Sequence, residues 1–200
     1  MGDIHARKLG TLAAMVVVLT ASAADLINYG LLGERVAALD PGSYFGVFGI
    51  AIDIALVAAA VSAWILAAPS PAARPVAAVL AGLLTFLAVD QVTGLHNHIP
   101  HWLALYLPVL VASFVCLVAV ARGLSGGSRS RLISSGLLLL VLSFFLHVFG
   151  PRLLLDLGLS DSTGWAYQVK AVVKHGAEVA GWFLIAFGLF ELGSRKPKGA

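Results

Sequence analysis

The sequence has few charged residues for its length. Asp, Glu, Lys and Arg make up 12% of its 200 residues and hydrophobic residues 60%, whereas soluble domains are about 25% charged. This composition excludes an ordinary soluble protein and indicates an integral membrane protein. The formal net charge is only +3, and the basic residues lie in short connectors and tails. No nucleic-acid-binding surface is therefore expected.

Cysteine is almost absent, and the common zinc motifs are missing altogether. The single cysteine, Cys116, lies in an apolar run, so an intramolecular disulfide and a Cys-based metal site are both excluded. Neither an HExxH motif nor a Cys/His cluster occurs. Cys116 is expected to be a small buried hydrophobic residue.

Long apolar runs, by contrast, are abundant. They predict an all-α fold, a single polytopic bundle of six transmembrane helices that forms one domain over residues 1–200. The predicted spans are at about 9–30, 44–67, 75–97, 102–121, 131–149 and 165–190.

Two apolar segments need separate interpretation. Ala21-Ser22-Ala23 resembles a signal-peptide cleavage site, but the apolar run continues to about Leu32, so we expect an uncleaved first span. Arg152 to Leu159 is too short to cross a membrane, and we predict a short amphipathic helix at the interface.

The basic residues predict the orientation of the bundle, because cytoplasmic connectors carry an excess of Lys and Arg. Nine basic residues fall on one side: Arg7, Lys8, Arg74, Arg122, Arg129, Arg131, Arg195, Lys196 and Lys198. Arg35 and Arg152 are the two on the other side. We therefore predict that both termini are cytoplasmic and that the His96–His101 connector lies outside.

Several ionisable residues occur inside the predicted spans. A charge there costs about 2.5 to 3.5 kcal/mol or more unless it is paired or in contact with water. With the predicted orientation, most of them fall in the outer half of the bundle. We predict that they line an outward-facing polar cavity. The candidate residues are Asp25, Asp53, Asp90, His96, His147, Lys170, Lys174, His175 and Glu178.

The last span carries the densest set of these residues. On a helix, Glu178 can contact both Lys174, at i, i+4, and His175, at i, i+3. One interpretation is an internal salt bridge, with Lys170 extending to the membrane surface. The other is a functional site.

The third span carries Asp90 and His96, which point about 120 degrees apart on a regular helix. They are not a simple pair on that geometry. Either they converge because the helix loosens near Gly94, ahead of Pro100, or each contacts a different neighbour.

Three kinds of function are compatible with these residues. One is an accessory or structural subunit that associates with lipid and with a membrane protein partner or a second copy. Another is an intramembrane enzyme with Zn, Mn or Fe, or less readily with haem. The third is a proton-coupled transporter or sensor. The metal-ligand candidates are Asp53, Asp90, His96, His175 and Glu178.

The segments DQVTGLHN and KHGAEVAGW resemble a pattern in bacterial six-helix membrane proteins of unknown function. In those proteins the third helix carries Asp-Glu, a spacer and Leu-His-Glu, and the last helix carries an acidic cluster before a glycine. Asp90, His96 and Glu178 stand at matching positions. At the positions of the other acids this sequence has Gln91, Asn97, Lys174 and His175. The resemblance therefore implies the six-helix fold, a location in a bacterial inner membrane, and a polar site with fewer acids.

Overall fold

The structure, a computed structural model, is built from α-helices. It describes residues 2–33, 36–40, 46–68, 74–123, 128–160, 162 and 164–194. Within these residues the α-helices are α1 (Gly2–Gly30), α2 (Val47–Ala67), α3 (Arg74–Thr93), α4 (Trp102–Arg122), α5 (Ser128–Val148), α6 (Gly150–Asp156) and α7 (Gly164–Gly193). Short 3-10 turns occur at Ala37–Leu39 and Leu95–His98.

The predicted all-α class is confirmed. Six of the described helices, all except α6, are long and apolar enough to cross a membrane. They coincide with the six predicted spans to within a few residues at most ends. The basic residues Arg35, Arg195, Lys196 and Lys198, and the connectors at 41–45, 69–73 and 124–127, lie outside the described residues.

Five of the helices form a closed ring. Going around it, α7 packs against α2, α2 against α3, α3 against α4, α4 against α5, and α5 again against α7. The first helix, α1, lies outside this ring, mainly against α7. Because α4 stands away from α2 and α7 across the ring, the centre is not filled by helix-to-helix packing.

Glycines bring α5 and α7 very close together. A Cβ atom at Gly136 would lie 2.6 Å from the carbonyl oxygen of Gly181, and one at Gly188 would lie 2.7 Å from the Ile133 side chain. In membranes, helix association depends on this kind of close van der Waals packing through small residues. The α5–α7 contact therefore fixes one side of the ring.

The third helix ends four residues before its predicted end at residue 97. Gly94 adopts a left-handed conformation, with φ of 65°, and the chain continues in the 3-10 turn Leu95–His98. Glycine reaches this conformation without steric cost, which makes it a common end for a helix. The turn changes the direction in which His96 points.

The short segment after α5 is helical, as predicted, but it is shifted to Gly150–Asp156, with Pro151 in the first turn. Proline is favoured there because the first-turn N–H groups have no helical acceptor. Arg152 and Asp156 form an exposed i, i+4 ion pair at 3.0 Å.

Candidate functional site

Asp90 is the centre of a hydrogen-bonded group at the end of α3. Its Oδ1 accepts from the backbone N–H of His96 at 2.8 Å and from the hydroxyl of Tyr106 at 2.7 Å. Its Oδ2 lies 2.8 Å from Nδ1 of His96. Asp90 and His96 thus do converge, by the loosening at Gly94. Asp90 is only 6% exposed. The three hydrogen-bond donors compensate the cost of burying its carboxylate.

The polar side chains of α7 are farther from one another than the groups around Asp90 are. Nζ of Lys174 lies 3.4 Å from Nε2 of His175, and Nδ1 of His175 lies 3.9 Å from Oε2 of Glu178. Among the described residues, Lys174 and Glu178 are not within the 4.0 Å of an ion pair. The salt bridge suggested by their i, i+4 spacing is therefore not formed.

Both groups face a cavity of about 510 Å³ at the centre of the helix ring. Its polar lining comes from α3, the following 3-10 turn, α4, α5 and α7. The polar and aromatic lining residues are Asp90, Gln91, His96, Trp102, Tyr106, Ser113, Ser143, His147, Lys174, His175, Glu178 and Trp182. Ligand pockets in proteins typically have volumes of about 300 to 1,000 Å³, so the cavity is large enough for a small molecule.

Aromatic rings frame the polar end of this cavity. The Trp102 ring lies 5.2 Å from the His96 ring and 6.4 Å from the His147 ring, measured between centroids. Phe48 of α2, which is buried and does not itself line the cavity, lies 5.9 Å from the His175 ring between centroids. These contacts limit the positions that the imidazoles can take.

Six of the nine predicted residues therefore line one cavity: Asp90, His96, His147, Lys174, His175 and Glu178. Three do not line it. Asp25 is buried in α1. Asp53 lies on α2 and has one buried carboxylate oxygen without a hydrogen-bond partner in the described structure. Lys170 extends over the ring of Tyr167, with Nζ 4.5 Å from its centroid.

The proposed metal ligands are not assembled. Across the described residues, no three His, Cys, Asp or Glu side chains are positioned to hold a metal ion. Asp90 and His96 form one pair, His175 and Glu178 form another, and Asp53 is outside the cavity lining. This geometry does not fit a Zn, Mn or Fe centre, which needs three or four ligands. Haem binding stays a prediction.

Sequence reasoning missed several polar contacts. Tyr106 was detectable, because a buried tyrosine needs a partner for its hydroxyl. Asn28 was not identified either, although its buried side chain makes hydrogen bonds of 3.0 Å to both the N–H and the carbonyl of Val36. At the opposite end of the bundle, Glu191 is buried with its Oε2 3.9 Å from Nε of Arg129. This pair lies near the ends of α5 and α7, just outside the predicted spans at 131–149 and 165–190.

The fold and the span lengths define a multi-pass membrane protein of the all-α class. Residues 10–192 match DUF8692, described as a domain of unknown function, and the chain belongs to that family. Comparisons with curated proteins and with solved structures returned no match.

Proposed function

We propose that this protein is a ligand-binding membrane protein and that the ligand occupies the cavity enclosed by α2, α3, α4, α5 and α7. The single observation that carries the proposal is the separation of Lys174 and Glu178. Both line the cavity, and they lie beyond ion-pair distance in the described structure. A purely structural cluster would gain most by closing that pair, because unpaired charges in a membrane are costly.

The two polar groups then have different roles. Asp90, held by His96 and Tyr106, joins the end of α3 to α4 and keeps the polar end of the cavity in shape. Lys174 supplies a hydrogen-bond donor and Glu178 supplies an acceptor. A bound ligand provides the partners for both. The alternative role, as an accessory or structural subunit, requires Lys174 and Glu178 to be satisfied within the protein, by each other or by His175.

We further propose that both termini are cytoplasmic and that the polar end of the cavity is on the outer side of a bacterial inner membrane. The nine-to-two distribution of basic residues supports this orientation. In a Cys116→Ala background, cysteines at Asn97 and Ser162 should react from outside with an impermeant maleimide, and one at Ser128 should not. Labelling at Ser128 alone would reverse the orientation.

The binding proposal is tested by identifying what the protein carries. Wild-type protein and the variants Lys174→Met and Lys170→Met would be purified from membranes in mild detergent, extracted with organic solvent and compared by mass spectrometry. Lys170 is a matched control, since it lies on the same helix and does not line the cavity. We expect a near-stoichiometric small molecule in wild type and Lys170→Met and its loss in Lys174→Met. Equal amounts in all three, or none in any, would contradict the proposal.

A further inference from the structure

The cavity is polar at one end and apolar at the other. The order of lining residues along three helices places the polar end on the same side of the bundle. On α7, Lys174 and Glu178 are followed one turn later by Trp182. On α4, Tyr106 precedes Leu110 and Leu117 in the lining. The antiparallel helix α5 presents its residues in reverse, with Leu137 deep and the polar His147 near the end that it shares with Tyr106 and Lys174. The long axis of the cavity therefore runs from a polar end to an apolar end along the bundle.

One wall of the cavity is also part of the lipid-facing surface. Five apolar side chains line the cavity and are at least 40% exposed; they are Leu107, Val111 and Phe114 on α4 and Val141 and Phe144 on α5. We call these five residues the lateral opening. By contrast, α4 and α5 are buried near their connector, as shown by Leu117 and Ala121 on α4 and Ile133 on α5. The two helices thus leave a gap towards the polar end, and both helices are long and apolar enough to cross a membrane.

The charges at the polar end restrict the head of a ligand. Lys174 would repel a cation, and Glu178 with Asp90 would repel a strongly anionic phosphate. An uncharged head with hydroxyl groups matches both residues, because it can accept from the Lys174 ammonium and donate to the Glu178 carboxylate.

We propose that the cavity binds a single-chain membrane amphiphile with an uncharged hydroxyl-bearing head, which reaches it from the bilayer through the lateral opening. This inference rests on the proposed function and adds the ligand class and the route. The head lies between Lys174 and Glu178, and the chain lies along the apolar end beside Trp182. The volume of about 510 Å³ is that of a site for one small ligand.

The probe for the test is a monoacylglycerol with a photoactivatable diazirine in its acyl chain, added to the full-length protein in liposomes. After irradiation, we expect peptide mass spectrometry to find saturable labelling of buried cavity-lining residues, Leu117 on α4 and Leu137 on α5. Excess unlabelled monooleoylglycerol should remove that labelling. Diazirine-bearing phosphatidylglycerol should label the outer surface, including the exposed Met15 of α1, and not the cavity. Cavity labelling by phosphatidylglycerol that equals that of the monoacylglycerol would overturn the assignment of ligand class.

The route is tested by closing the lateral opening. Val111→Trp with Val141→Trp should reduce cavity labelling about tenfold or more. The matched control is Val115→Trp with Leu138→Trp, because both residues are exposed on the same two helices and neither lines the cavity. The control should label like wild type. Undiminished labelling of the closed variant would overturn lateral access and leave the binding site intact.

A further variant separates this inference from the proposed function. Lys174→Met should weaken labelling of the cavity by the monoacylglycerol, and Lys170→Met should not. If Lys174→Met labels as wild type while the closed variant does not, the cavity takes apolar chains only, and the binding roles proposed for Lys174 and Glu178 are wrong. The competition by monooleoylglycerol uses wild-type protein alone, so its failure counts against the proposal even if a tryptophan variant does not fold.

Discussion

Replacing Asp90 by alanine should destabilise the bundle substantially, because one carboxylate receives three hydrogen bonds. The donors are the His96 backbone N–H, the His96 ring and the Tyr106 hydroxyl, at 2.8, 2.8 and 2.7 Å. Interhelical hydrogen bonds in membrane proteins contribute about 0.6 kcal/mol on average and at most about 1.7 kcal/mol. Only the Tyr106 bond joins two helices, and the same range applied to each of the three bonds gives an expected loss of about 2 to 5 kcal/mol in the free energy of unfolding. Tyr106→Phe removes one bond and should cost about 0.6 to 1.7 kcal/mol.

The assay is unfolding in mixed micelles with increasing sodium dodecyl sulfate, for the two single variants and the double variant. In the Asp90→Ala background, Tyr106→Phe should cost almost nothing further, because its acceptor is already gone. Thr93→Val is the control, since among the described residues the Thr93 hydroxyl bonds only to the backbone carbonyl of Val89 in its own helix. The reasoning is refuted if Tyr106→Phe costs the same in both backgrounds, or if Asp90→Ala costs no more than Thr93→Val.

Two further predictions concern packing and a connector. Gly136→Ala should destabilise the protein by about 1 to 3 kcal/mol, because the new methyl group would lie 2.6 Å from a backbone oxygen of α7. A methyl group at Gly82, in α3, has no neighbour within 4 Å in the described structure, so Gly82→Ala should be neutral or stabilising in the same assay. Equal losses of stability in the two variants would contradict the close α5–α7 contact. Asn28→Ala breaks two hydrogen bonds to the Val36 backbone and should cost about 1 to 3 kcal/mol, whereas the exposed Asn97→Ala should change stability by less than about 0.5 kcal/mol.

The sequence was sufficient to predict the all-α class and the positions of the six long helices. Long apolar runs determine where a helix can cross a membrane, because the backbone must satisfy its own hydrogen bonds there. The end of α3 was less predictable. Gly94 and Pro100 showed that the helix could loosen, but only the folded chain fixes the left-handed turn that brings His96 onto Asp90.

The site itself was predicted in part. Hydropathy identified Lys174 and Glu178 as ionisable residues within a span, and their i, i+4 spacing predicted an ion pair. Spacing along one helix gives proximity, but side-chain rotamers and neighbouring helices decide whether the pair closes. The cavity depends on α4 standing away from α7, and no local pattern encodes that separation. The same holds for the α5–α7 contact at Gly136, which depends on the register between two helices.

The central claim is that an amphiphile occupies the cavity with its chain towards Trp182, and bromine quenching of tryptophan fluorescence tests it most directly. A variant with Trp64, Trp102 and Trp165 changed to Phe retains Trp182 alone, a residue that is buried and lines the cavity. A monoacylglycerol with a dibrominated chain should quench Trp182 saturably in liposomes, and brominated phosphatidylcholine should not. In a matched variant that retains only Trp64, which is 52% exposed on α2, brominated phosphatidylcholine should quench strongly. If Trp182 is quenched equally by both lipids, or by neither, the account is contradicted.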